Sequence, residues 1–235
     1  MSSTTAASGP GTSSLKPVYV YEAPVRIWHW THAISIIVLS ITGYLIANPL
    51  PALHGEASNH FMMGYIRMIH FIAGYVFAIG FAVRIYWAFV GNRFSRELFI
   101  PPVWSREWRG HLMHKIKFNL FLTRKMEKTV AHNPLAQVAM WFFNVLVGLF
   151  MVVSGFALYG EGLGVGSWAD RWFGWLIPMM GSSMEVKMWH TLGMWLLIVF
   201  AIIHIYMAVR SDIMGRESCV STIIGGWRYW KDDQP

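Results

Sequence analysis

Cysteine is almost missing from this chain: Cys219 is the only one in 235 residues. One thiol makes no intrachain disulfide, cannot alone hold an iron–sulfur cluster or a nickel site, and leaves no Cys-x-x-Cys-His stretch for covalent haem attachment. Cys219 itself reads as an ordinary reduced thiol. Charge is also scarce, at 13% of residues, and the 12 acids are outnumbered by 19 bases. The first 17 residues, rich in Ser, Thr, Gly and Pro, lack the apolar core of a cleavable signal peptide. They predict a disordered tail over 1–17, ahead of a single domain over 18–235.

What the chain has in abundance is hydrophobic surface. It is 55% hydrophobic with 13 Trp and a mean hydropathy of +0.41, a composition that excludes an ordinary water-soluble domain. Four stretches, about 25–47, 66–90, 135–159 and 188–209, are long enough to cross roughly 30 Å of hydrocarbon. The expected fold is all-α, an integral membrane four-helix bundle lying in a lipid bilayer.

The connections orient it. The stretch 91–133 carries nine basic residues (Arg93, Arg96, Arg106, Arg109, Lys115, Lys117, Arg124, Lys125, Lys128), whereas 47–65 carries none and 160–187 only Arg171 and Lys187. Basic loops stay in the cytoplasm, so the middle loop and, with four spans, both termini are expected there. The net charge of +7 and pI near 9.7 then follow from topology. Because the bases flank spans instead of forming an aromatic-interleaved patch, nucleic acid is not an expected partner.

Histidine spacing points to chemistry. His190 and His204 lie 14 residues apart on the fourth span; a helix returns to within roughly 40° of the same face after that many residues, about 21 Å further along. One helix thus offers two imidazoles at two depths. His29, about a turn into the first span, matches the depth of His204, and His70, a turn into the second, matches that of His190. Neutral imidazole is a strong axial ligand to iron, and a polar ring inside lipid is otherwise costly. The pairs His70/His190 and His29/His204 therefore predict two bis-histidine haems of b type. With both axial positions filled, the expected work is electron transfer, not chemistry at the metal. His32, three residues beyond His29, competes with it for the same role, and periodicity alone does not choose between them. His54, His60, His111, His114 and His132 fall in loops and read as solvated groups.

Gly43, Gly74, Gly155 and Gly193 fall on the four spans and serve either close helix packing or clearance for a flat macrocycle. Arg26, Arg67, Arg84 and Arg210 lie at depths suited to haem propionates or to plain snorkelling. Arg84 is singled out by a weak internal repeat. Aligning His70 with His190 sets Arg84 on His204, with Ile85-Tyr86-Trp87-Ala88 matching Ile205-Tyr206-Met207-Ala208. The first and third spans end comparably in Thr42-Gly43-Tyr44 and Ser154-Gly155-Phe156, making the unit a helical hairpin.

Longer blocks carry a family resemblance. Tyr21-Glu22-Ala23-Pro24-Val25-Arg26-Ile27-Trp28-His29-Trp30, Met63-Gly64-Tyr65-Ile66-Arg67 with His70, Arg84-Ile85-Tyr86-Trp87-Ala88 leading into Gly91-Asn92-Arg93, His132-Asn133-Pro134, and Trp189-His190 with Leu192-Gly193-Met194-Trp195 resemble the b-type cytochrome subunit of membrane-bound nickel–iron uptake hydrogenases. The resemblance runs from about residue 18 to the C terminus. It implies a dihaem cytochrome b, similar also to the membrane subunit of respiratory formate dehydrogenases, with ligands at the positions matching His29, His70, His190 and His204. Its Arg-x-x-His-Trp context favours His29 over His32. It further implies a bacterial inner-membrane subunit, not an enzyme on its own. Electrons from an iron–sulfur small subunit and a nickel–iron large subunit would reach the external haem, then the cytoplasmic-side haem, then a membrane quinone. The loop 160–187, with Asp170 and Arg171, is expected to form part of the docking surface. A cytochrome anchor for another periplasmic oxidoreductase would share these ligands. A haem-free transporter would need polar residues along a path through the membrane, and the first and third spans are almost wholly apolar.

Overall fold

A computed structural model of the chain describes residues 16–51, 61–120, 122–123, 134–215 and 218–230. Its four long apolar helices are α1 (Ala23–Ala47), α2 (Met62–Val90), α5 (Pro134–Leu163) and α8 (Ser183–Gly215). Short helices α3 (Arg93–Arg96) and α4 (Arg106–Asn119) follow the second span, and α6 (Trp168–Phe173) and α7 (Leu176–Met180) follow the third. The chain closes with α9 (Cys219–Gly225) and β2 (Trp227–Trp230), which pairs antiparallel with β1 (Lys16–Tyr19).

Local signals set the helix ends. Pro24 stands in the first turn of α1, where a missing N–H costs nothing, and Pro49 lies just beyond its C-cap Asn48, where no helix continues. Pro134 opens α5 in the same way. The α5 helix widens into a π turn over Trp141–Val147, with the Gly148 N–H bonded to the Phe143 carbonyl five residues back.

The helices form a ring in which α1 meets α2 and α8, and α5 meets α2 and α8. Polarity is arranged inside out. Ile34, Ile37, Ile41, Ile202, Ile203 and Ile205 face outward, each more than half exposed, while Ser35, Thr42, Arg84, Gln137 and Ser154 are buried. A bilayer as solvent explains it: the rim is paid for by lipid, and polar groups find partners only within the bundle.

Two departures from the sequence reading stand out. The fold is helical but includes the β1–β2 pair, so Lys16 and Pro17 belong to a strand and not to the disordered tail assigned to 1–17; residues 1–15 of that tail lie outside the described residues. The helices also overrun the apolar stretches, α8 beginning at Ser183 instead of 188 and α5 ending at Leu163 instead of 159. Hydropathy marks the part of a helix that meets lipid, whereas backbone hydrogen bonding carries the helix past the hydrocarbon.

The end of the bundle that holds the β pair is tied together by Glu22. Its Oε2 accepts from Trp87 Nε1 at 2.9 Å and from the Asn92 N–H at 3.0 Å, joining the start of α1 to the end of α2. Gly226 has φ +87°, and its carbonyl accepts from the Val20 and Tyr21 N–H groups. An added Cβ there would sit 2.6 Å from the Tyr21 carbonyl oxygen, so the turn requires glycine on two counts. The opposite end is capped by α6 and α7, with Ala157, Leu176 and Val186 forming a small apolar core beneath them.

Candidate functional site

The β-pair end brings two of the sequence-selected histidines face to face. His29 of α1 and His204 of α8 have ring centroids 6.3 Å apart at an interplanar angle of 47°. Phe200 stacks on His204 and Phe143 on Phe200, at 5.5 and 4.8 Å, so the π turn supplies one wall. Nδ1 of His29 is buried with no hydrogen-bond partner among the described residues. His32, the competitor to His29, is turned elsewhere. Its ring stacks on Phe77 at 4.2 Å and packs against Trp28 at 4.8 Å.

The opposite end holds His70 of α2 and His190 of α8. Each is held by a hydroxyl from a neighbouring span. Thr42 Oγ1 lies 2.8 Å from His70 Nδ1, and Ser154 Oγ lies 2.7 Å from His190 Nδ1. The adjoining glycines make room for the rings: a Cβ on Gly43 would stand 3.3 Å from His70 Cε1, and one on Gly155 would stand 3.4 Å from His190 Cε1. Gly74, one turn beyond His70, has open space where a Cβ would point. Gly193 instead packs against Met151, which makes it a helix-contact glycine.

The arginines divide. Arg84 is 3% exposed, donates from Nη2 to the Ser95 carbonyl at 2.7 Å, and lies between the Trp28 and Phe99 rings at 5.4 and 5.2 Å. Its Nε and Nη1 have no partner among the described residues. Arg26 donates from Nη1 to the Ile224 carbonyl at 2.6 Å, and its Nε has no partner among the described residues. Arg67 stands at the opposite end, on an apolar hollow of about 720 Å³ lined also by Phe61, Met68, Phe71, Tyr75 and Tyr159. His111 lies 3.8 Å from Glu107 along α4, away from either histidine pair, and His54, His60 and His132 lie outside the described residues. Thr42 and Ser154 are the functional candidates that sequence reasoning passed over as ligand partners. Their signal was the hydroxyl residue immediately before a glycine on the first and third spans.

Four apolar helices enclosing histidines at two depths, with glycines beside the rings, define a helical membrane protein built in the manner of a cytochrome b. The chain belongs to the prokaryotic cytochrome b561 family, whose model matches residues 20–226. It is 57% identical over 218 residues, 93% of this chain and 91% of the relative, to a probable Ni/Fe-hydrogenase B-type cytochrome subunit of Azotobacter chroococcum mcd 1. Identity is 52% over 219 residues to the corresponding protein of Cupriavidus necator, covering 93% and 90%. It is 48% over 217 residues to the probable Ni/Fe-hydrogenase 1 B-type cytochrome subunit of Escherichia coli K12, covering 91% of each.

The haem b that such a cytochrome carries fits the residues present. The His29 and His204 rings face each other 6.3 Å apart, and the buried Nδ1 of His29 has no hydrogen-bond partner among the described residues, so this pair would hold one such group. The unpartnered Arg84 and Arg26 donors suit a carboxylate, the group that a buried guanidinium binds best.

Proposed function

We propose that the chain is the dihaem b-type membrane anchor of a nickel–iron hydrogenase and carries electrons from the hydrogenase's iron–sulfur small subunit to a membrane quinone. The observation that carries this reading is the facing of the His29 and His204 rings, 6.3 Å apart at one end of the bundle; it is supported by His70 and His190 at the other end, each with a hydroxyl on Nδ1 and a glycine beside the ring. In this reading each pair holds one haem b, and the haems supply reversible one-electron carriers. The chain's own residues do the rest. The two imidazoles of each pair would hold the haem between them and leave its metal closed to substrate, so that it would supply electron transfer alone. Arg84 and Arg26 at one end and Arg67 at the other are the proposed partners of the propionates. The apolar helices exclude water from both sites.

The bacterial inner membrane is the proposed location, with both termini in the cytoplasm. The orientation is supported by the nine basic residues between the second and third spans. Hydrogenase subunits are the proposed partners on the opposite side, where the α6–α7 connection exposes Trp172, Trp168, Trp175 and Met179, a patch more apolar than a loop in water normally shows.

A reduced-minus-oxidised spectrum of the purified full-length chain tests the cofactor: a b-type α band is expected, and its absence overturns the reading. Purification of the tagged chain from membranes should bring down the hydrogenase small and large subunits. Recovery of another oxidoreductase in their place would transfer the anchor role to that enzyme.

A further inference from the structure

The two hydroxyl–imidazole contacts at the α6–α7 end have a determined direction, because the proton of each hydroxyl is already engaged. Thr42 Oγ1 lies 2.7 Å from the Val38 carbonyl oxygen, and Ser154 Oγ lies 2.6 Å from the Phe150 carbonyl oxygen. A carbonyl has no proton to give, so the hydroxyl hydrogen lies on that line, the usual back-bond of Ser and Thr to the fourth residue before them in a helix. What remains on each oxygen is a lone pair. A second carbonyl stands 3.4 Å from each oxygen, Leu39 for Thr42 and Met151 for Ser154, and has no proton to give, so the lone pair accepts from the ring nitrogen, Nδ1 of His70 at 2.8 Å and Nδ1 of His190 at 2.7 Å. A neutral imidazole carries one N–H. Both rings are therefore protonated on Nδ1 and unprotonated on Nε2.

We propose that Thr42 and Ser154 are positioning residues that fix His70 and His190 in the one tautomer whose Nε2 lone pair can bind iron, and fix the ring orientations with it. The proposal rests on the reading of His70 and His190 as haem ligands. The two contacts come from different spans and differ in residue type, yet share one geometry: hydroxyl before glycine, back-bond to the preceding turn, acceptance from Nδ1, and a glycine at which an added Cβ would meet Cε1. Ser154 is fully buried and Thr42 nearly so, so no water competes for the N–H. A hydrogen bond accepted from the distal ring nitrogen makes the ligating nitrogen a stronger donor, and such partners govern metal affinity by about 10–100-fold. A stronger donor favours ferric iron, so the hydroxyls hold the haem at this end at a more negative potential than bare imidazoles would.

The test uses the full-length chain with its haems. Thr42→Val keeps the shape and removes the acceptor, Thr42→Ser restores it, and Ser154→Ala and Ser154→Thr repeat the pair on the other ligand. Redox titration and low-temperature electron paramagnetic resonance resolve the two centres. The expected result is that Thr42→Val and Ser154→Ala each move one centre to a more positive potential and alter its low-spin signal, leave the His29/His204 centre unchanged as the internal control of folding, and weaken haem retention at the affected site about 10–100-fold. Thr42→Ser and Ser154→Thr should restore the parent values. Unchanged potentials and signals in Thr42→Val and Ser154→Ala overturn the proposal, and so does loss of haem that the hydroxyl-bearing variants fail to restore. His70→Ala separates the two levels of inference. If it loses one haem while Thr42→Val changes nothing, the tautomer proposal alone fails; if it keeps both haems, the ligand assignment beneath it fails.

Discussion

Arg84→Met asks whether the buried guanidinium serves the fold or a bound carboxylate. Methionine keeps an unbranched stem and removes the charge. In the haem-free protein the loss comprises the bond to the Ser95 carbonyl, about 1.5–3 kcal/mol for a hydrogen bond to a charged group, and contacts with the Trp28 and Phe99 rings, about 0.5–1 kcal/mol each. The loss is therefore roughly 2.5–5 kcal/mol. Against it stands the penalty of holding a cation at 3% exposure with Nε and Nη1 unpartnered, which is several kcal/mol for a buried ion. The two nearly cancel, and haem-free Arg84→Met is expected to unfold within about 1–2 kcal/mol of the parent. With a propionate on the free donors the balance changes, since removing one partner of a buried pair strands the other at a cost of about 3–5 kcal/mol. Haem-loaded Arg84→Met should then release one haem far more readily and show that centre at a more negative potential, while Arg84→Lys retains most of the effect. Thermal unfolding followed by circular dichroism, with and without haem, and a redox titration measure both sides. An equal loss of stability in the two forms, with both potentials unchanged, would refute the reasoning and reduce Arg84 to a structural clamp.

His204→Ala should lose the haem of the β-pair end and keep the other, read as half the α-band absorbance; retention of both refutes its role. Gly160→Ala would bring a Cβ to 2.6 Å from the Asp170 N and 2.8 Å from the Ala169 carbonyl carbon, backbone atoms that cannot step aside. About 1–3 kcal/mol of overpacking is expected, against little change in Gly162→Ala, which has open space, and differential melting in detergent compares the two. Glu22→Ala strips the acceptor from Trp87 Nε1 and the Asn92 N–H and should cost about 1–3 kcal/mol. Proteolysis between the first two spans and the α3 segment would rise with it, and an unchanged digestion pattern would show that the clamp is dispensable.

The four spans were legible because lipid demands an uninterrupted apolar length, and the helical repeat is what converts a 14-residue histidine spacing into two depths. The structure sets the His29 and His204 rings 6.3 Å apart. What escaped sequence reasoning depends on contacts between distant elements. The β1–β2 pair joins Lys16 to Trp230 through four-residue strands with no alternation long enough to read. The π turn at Trp141–Val147 leaves the hydropathy of its helix unchanged. Thr42 and Ser154 entered the sequence reading only as matching positions of the repeat, and only the neighbouring span reveals what each hydroxyl faces. The repeat singled out Arg84 as a propionate candidate, but its burial and its hold on the Ser95 carbonyl come from a short helix that no periodicity announces.

The matched contacts Thr42–His70 and Ser154–His190 have a consequence for ancestry. A lone helical hairpin bearing one hydroxyl on its first helix and one histidine on its second would, on dimerising about an axis along the membrane normal, build this whole site from two identical halves, an isologous arrangement that needs no further invention. The other site has no such symmetry, since its histidines sit at unlike places in the two hairpins and Arg84 occupies the position of His204. On the proposed reading, a homodimer of hairpins would suffice for one haem site at one face of the membrane, whereas a second site across it would need the two halves joined in a single chain and free to diverge.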